Sequence, residues 1–221
     1  MRRTVLSCVI LVGLWTAAAG QQMVDKTVAT VSDGSRTELI TYSDLKWQLA
    51  LQPNVPIDPP SSDDLNRILR LLIDQRLFAL EAERLPRDPP TEEEINAKIN
   101  EIVSKFSTAA EFERRLKLVG FKSVSDPNFE QIISQRVAID KYLAFRFRSF
   151  IVITADDEAQ YYRNVWVPEF RRRNEGRIVP PLESIRPQIV EALTEDRVEQ
   201  QIETFLDEAK RRSEIIILSP V

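Results

Sequence analysis

The sequence predicts a mainly α-helical fold with a small β element. Three observations predict it. A β-prone run with an Asp-Gly turn stands near the N-terminus. The long middle of the chain carries apolar residues at three- and four-residue steps, punctuated by Thr or Asp caps and by prolines. The chain closes on an apolar run, Ile215-Ile216-Ile217-Leu218.

Val24 to Ile40 reads as a hairpin, because Thr27 to Val31 is β-prone and Ser32-Asp33-Gly34-Ser35 is turn chemistry. A helix starts at Thr41, where Thr41 and Asp44 stand in capping-box spacing, and Leu45, Trp47 and Leu49 give it an apolar side. Pro53, Pro56, Pro59 and Pro60 end it in a stiff connector. Ser62 to Leu85 has the clearest helical period, with Leu65, Ile68, Leu69, Leu72, Ile73 and Leu80 on one face and Arg76 among them. Thr91-Glu92-Glu93-Glu94 caps the next helix, striped by Ile95, Ile99, Ile102, Val103 and Phe106. Thr108 to Val119 is shorter and stops at Gly120.

Asp126-Pro127 opens a helix that runs through Phe129, Ile133 and Val137 into the dense stretch Tyr142 to Ile151. Thr154 caps a further helix that Pro168 is expected to end, and Arg171 to Gly176 is expected to be a basic, polar link. From Ser184 or Arg186, with Pro187 in the first turn, one long helix is expected to reach about Arg212. A lone hairpin is marginal in water. The terminal run is therefore expected to close onto the N-terminal hairpin, so that both ends of the chain share one small sheet.

The first residues have their own pattern. Arg2 and Arg3, the uncharged apolar run Val5 to Trp15 and the small residues Thr16 to Gly20 read as a signal peptide over 1–20. Cleavage after Ala19 and after Gly20 both fit, and an uncleaved anchor is the alternative. Its removal would take Cys8, the only cysteine, and leave the balance more acidic by two charges. No later apolar run is long enough to span a bilayer.

Composition narrows the chemistry. The chain has 221 residues, no histidine, one cysteine, 5 glycines and a formal charge of -4. No imidazole base, His-containing triad or zinc knuckle can be assembled from it. Phosphate-cradling glycine motifs are absent, and no cofactor or metal is implied. An acidic balance with interspersed signs argues against nucleic acid as a partner. Acidic clusters such as Glu92 to Glu94 and Asp156 to Glu158 stand at helix starts, where the helix dipole favours them.

Several segments carry a family likeness: Val24-Asp25-Lys26, Ile40-Thr41-Tyr42-Ser43-Asp44-Leu45, Leu71 to Leu77, Thr91 to Ile95 and Phe112 to Leu116. Ile151 to Thr154, Tyr161-Tyr162, Pro168-Glu169-Phe170, Ile185 to Ile189 and Ile215 to Leu218 continue it. In this order they resemble the SurA-type periplasmic chaperones, relatives of PpiD and PrsA, over most of 24–219. That family usually carries a parvulin-type prolyl isomerase domain between the Tyr-Tyr helix and the C-terminal helix. Here only a short linker, 171–181, stands between a helical region, 21–170, and the closing helix and strand, 182–221. A link this short holds no domain.

The resemblance implies a periplasmic, ATP-independent holdase for unfolded or extended envelope and outer-membrane protein segments, not an enzyme. Exposed aromatics with adaptable arginines suit such clients. The candidate client-binding residues are Trp47, Tyr142, Phe145, Arg146, Phe147 and Phe150. The same spacing also fits a packed core face. A scaffold for one dedicated folded partner is the rival reading, and the sequence leaves a homodimer open.

Overall fold

The computed structural model describes residues 25–84 and 88–221. The expected signal peptide, the hairpin start at Val24 and the helix end at Leu85 lie outside the described residues. The chain is mainly helical with a three-stranded antiparallel sheet. Strand β1 (Thr27–Ser32) lies between β2 (Thr37–Thr41) and β3 (Glu214–Ile217). Both ends of the described chain therefore meet in one sheet. Ala29 stands opposite Ile40 and Ile217, and Val31 opposite Glu38 and Ile215. Ala29, Val31 and Ile40 point into the core and are fully buried. The hairpin turn is knotted by Asp33, whose carboxylate accepts from Ser35 N, Ser35 Oγ and Arg36 N and pairs with Arg84 at 2.7 Å. Gly34 takes φ 88°, a conformation that favours glycine.

Helix α1 (Tyr42–Ala50) begins where the sequence places its cap: Asp44 N donates to Thr41 Oγ1, and Thr41 N donates to Asp44 Oδ2. The connector delivers α2 (Ser62–Ala82), capped by Ser61. Its face of Leu65, Ile68, Leu69, Leu72 and Ile73 packs under the sheet and α1 in the first core cluster. Burying such side chains stabilises by about 1.5–3 kcal/mol each, so this cluster anchors the frame.

Helices α3 (Glu92–Val103), α4 (Ala109–Leu118) and α5 (Pro127–Leu143) enclose a second cluster around Phe112, Phe129 and Ile133. Arg115 on α4 locks this lobe to α1. Its guanidinium donates to the carbonyls of Leu49, Ala50, Gln52 and Val55 at 2.8–3.1 Å. Those carbonyls lie at the end of α1 and just beyond it, where helical bonding leaves acceptors over and a cation is favoured.

The third cluster joins α5 to the C-terminal helix α8 (Leu182–Arg212). Phe205 of α8 stacks on Phe78 of α2 at 5.4 Å, and Lys210 pairs with Asp74 of α2 at 2.7 Å. These contacts deliver the chain to β3.

Three expectations are corrected. Pro168 does not end its helix: α6 (Ala155–Tyr161) passes through a π turn (Tyr162–Trp166) into α7 (Val167–Arg173). Pro168 stands in the first turn of α7, just after the π turn, where i→i+5 bonding already departs from the ladder that proline, lacking an N–H, cannot join. Arg171 to Arg173 consequently belong to α7, and the link shrinks to 174–181. The long helix begins at Leu182, which places Pro187 inside it. Pro187 and Glu183 are both exposed, so the Glu183 carbonyl left without its helical donor faces water.

Candidate functional site

The structure divides the six candidate residues among three environments. Tyr142 and Phe147 are buried, each only 3% exposed. Phe147 packs edge-on against Phe205 at 5.5 Å and against Tyr142 at 6.3 Å. Phe145 and Phe150 lie outside, 50% and 71% exposed, with their rings 5.9 Å apart. Arg146 is exposed and covers the Phe147 ring at 5.5 Å from its centroid. Trp47 is half-buried on α1, away from the aromatic stretch, with its indole N–H donating to Val119 O at 3.1 Å.

A π turn (Ala144–Arg148) directs this split. Buried positions on α5 run Phe129, Ile133, Val137 at four-residue steps. Continued, that step would bury Lys141 and Phe145. The chain instead turns to the third cluster, burying Tyr142 at the end of α5 and, across the π turn, Phe147 five residues on. An i→i+5 bond, Ser149 N to Ala144 O at 3.1 Å, adds a residue to the turn and moves the inward face along the chain. Lys141 remains at the surface, where it pairs with Glu94 at 2.9 Å and holds that carboxyl below its ordinary value.

Beside the π turn lies an open hollow of about 520 Å³ between it and α8. Phe147 and Phe205 contribute its apolar side, and Arg146, Arg197, Gln200 and Glu208 its polar side. The rim is braced by ion pairs. Arg148 reaches Glu191 at 2.7 Å and also pairs with Glu195, which lowers the Glu195 carboxyl and raises the guanidinium. Arg197 donates to Val152 O and pairs with Asp157 at 2.8 Å. Asp157 is held at about 2, first by the Thr154 hydroxyl and backbone and then by Arg197. Val152, whose carbonyl Arg197 holds, has a side chain that is 73% exposed.

A second concavity was not foreseen. A groove of about 510 Å³ runs between α1, the loop after α4 and α5, with Trp47, Phe121 and Ile132 as its apolar wall. The Trp47 and Phe121 rings stand 5.3 Å apart. Gly120, at φ 101°, turns the chain at this wall. Asp44, Trp47, Arg76, Ile132 and Gln135 are shared with a smaller inner chamber of about 60 Å³, which Gln48, Gln75 and Arg136 also line. Trp47 is the one sequence candidate found here. A legible signal did exist: Asn128, Gln131 and Gln135 recur at helical spacing beside Ile132.

Among the described residues, no three His, Cys, Asp or Glu side chains converge as a metal site would. No described helix is long and apolar enough to cross a membrane. The two concavities present apolar, amide, guanidinium and carboxylate groups. Comparison with protein-family models and with curated proteins finds no match.

Proposed function

We propose that the chain is a secreted, periplasmic, ATP-independent holdase of SurA-like design that captures unfolded or extended envelope and outer-membrane protein segments. The observation that carries the reading is the exposed Phe145–Phe150 pair on the same short segment as Arg146 and Phe147, which line an open, half-polar hollow. Unfolded clients share only apolar side chains and backbone amides, so a mixed, open surface suits them better than a deep specific pocket. Contacts that are many and individually weak let clients exchange quickly. The link 174–181 offers no room for an isomerase domain, so the activity is holding, without prolyl isomerisation. The test is suppression of aggregation of a diluted, unfolded outer-membrane protein at near-stoichiometric amounts. Lack of protection at excess overturns the reading, and measurable prolyl isomerase activity overturns its non-enzymatic part.

The second reading, a scaffold for one folded partner, draws on a specific feature. Strand β3 is an edge strand that exposes Ile216 and Ile217, with Leu218 exposed just beyond it. Such an edge is a template for strand addition. Isolation of one stable, stoichiometric folded partner would favour it over the holdase.

A further inference from the structure

Arg136 is the one cation lining the inner chamber whose side chain has no hydrogen bond or ion pair among the described residues. The other, Arg76, is engaged: it lies 3.4 Å from Asp44, 3.9 Å from Glu38 and bonds Leu39 O. Asp44 is in turn committed to that arginine and to the α1 cap. Arg136 is half-buried and, among the described residues, makes no hydrogen bond or ion pair. Its nearest acids in the chain's charge pattern are taken up elsewhere. Asp140 pairs with Lys98 at 3.0 Å, and Glu101 with Lys98 and Lys105. Burial pulls the Arg136 guanidinium below its usual pKa, against the opposing pull of Asp140 and Glu101. The side chains of Gln48, Gln75, Gln131 and Gln135 are likewise without hydrogen bonds among the described residues. Each offers one acceptor and two donors, the complement of a peptide backbone.

We propose that the inner chamber binds the C-terminal carboxylate of an extended polypeptide through Arg136, with the chain's last backbone groups on the carboxamides of the groove. This rests on the holdase reading and names a ligand chemistry for a second site on it. A guanidinium fork matches a carboxylate in a two-bond arrangement. The chamber is small, about 60 Å³, and adjoins the wider groove through five shared residues, which suits the end of a chain lying in that groove. The wider groove of about 510 Å³ leads to it and gives the preceding residues the Trp47–Phe121 wall.

The experiment is fluorescence anisotropy at fixed ionic strength, using a short Gly/Ser/Val peptide labelled at its N-terminus. One form ends in a free carboxylate, one in an amide, and one is amidated but carries an internal Glu. The free acid should bind about tenfold or more tightly than the amide, as expected of hydrogen bonds to a charged partner. Arg136→Gln should erase the difference, Arg136→Lys should keep part of it, and Phe150→Ala should leave it intact. Equal binding of acid and amide, or discrimination that survives Arg136→Gln, overturns the site. The amidated Glu peptide binding as well as the free acid overturns the terminal assignment. Aggregation suppression without acid-over-amide discrimination leaves the holdase reading and removes this one; discrimination without suppression does the reverse.

Discussion

Phe147 and Phe150 are the same side chain three residues apart, and the π turn gives them opposite fates. Phe147→Ala should cost about 3–5 kcal/mol, the usual price for deleting a buried ring. The upper part of that range applies, because Phe147 also gives up edge contacts with Phe205 and Tyr142, each worth about 0.5–1.5 kcal/mol beyond burial. Phe150→Ala, at a position 71% exposed, should change stability by less than about 0.5 kcal/mol. With a urea slope of about 2–3 kcal/mol/M, Phe147→Ala lowers the unfolding midpoint by about 1.5 M and Phe150→Ala barely moves it. Far-ultraviolet circular dichroism on the whole chain reads the midpoint. Client holding should show the reverse order: Phe150→Ala weakens aggregation suppression, while Phe147→Leu, which keeps an apolar filler, leaves it near normal. A Phe147→Ala midpoint within about 0.2 M of the parent would refute the inward placement of that ring. Full holding by Phe150→Ala would refute the role given to the exposed pair.

Three further outcomes follow from the geometry. Arg115→Lys should cost about 2 kcal/mol, since an ammonium cannot reach four carbonyls with one planar fork; thermal unfolding measures the loss, and hydrogen exchange should rise at residues 49–55. Thr91→Ala should cost about 1 kcal/mol by removing the capping box of α3, read as a lower melting temperature with faster exchange confined to the first turn of that helix. Acid should destabilise the chain through Glu101, whose carboxyl is lowered from an ordinary 4.5 to about 2, first by Lys105 and then by Lys98. A lowered folded-state pKa gives stability that is present above 4.5 and lost as pH falls through about 2; Glu101→Gln should therefore flatten the fall of melting temperature across that window, and an unchanged slope counts against the pairing.

Much of the fold is legible in the sequence because its signals are local. Thr41, Thr91 and Thr154 each stand three residues before an acid, and all three form the reciprocal bonds expected of them. Asp126 and Pro127 open α5 by a one-residue rule. The closure of the sheet needed one longer step, that an isolated hairpin lacks stability and an apolar terminal run lacks a partner. The π turns escaped for a physical reason. Their sequences carry the same apolar density as an α-helix, and the change from four- to five-residue steps is a matter of which neighbour each carbonyl chooses. Phe145, Phe147 and Phe150 therefore could not be sorted into core and surface by spacing. The ends of helices around Pro168 and Pro187 escaped likewise, since proline's cost depends on whether the acceptor it abandons reaches water or is already unpaired.

The groove shows a different limit. Its walls come from α1, α2, the loop after α4 and α5, segments separated by up to some ninety positions in the chain, and no local pattern joins them. What was visible was an inconsistency on one helix. An α5 that only packed would need no run of Asn128, Gln131, Gln135 and Arg136 bordering its apolar stripe, and carboxamides cost side-chain entropy without gaining burial. A solvated face accounts for carboxamides that point to open water. It does not account for an arginine without an ion pair lining a small chamber whose other cation already has two carboxylates. A partly desolvated charge without an ion pair is less favourable than a paired one, so a fold that keeps Arg136 half-buried there either carries that cost for nothing or recovers it when an acid arrives. The second alternative makes acid-terminated peptide a stabilising ligand, and thermal unfolding with and without it separates the two.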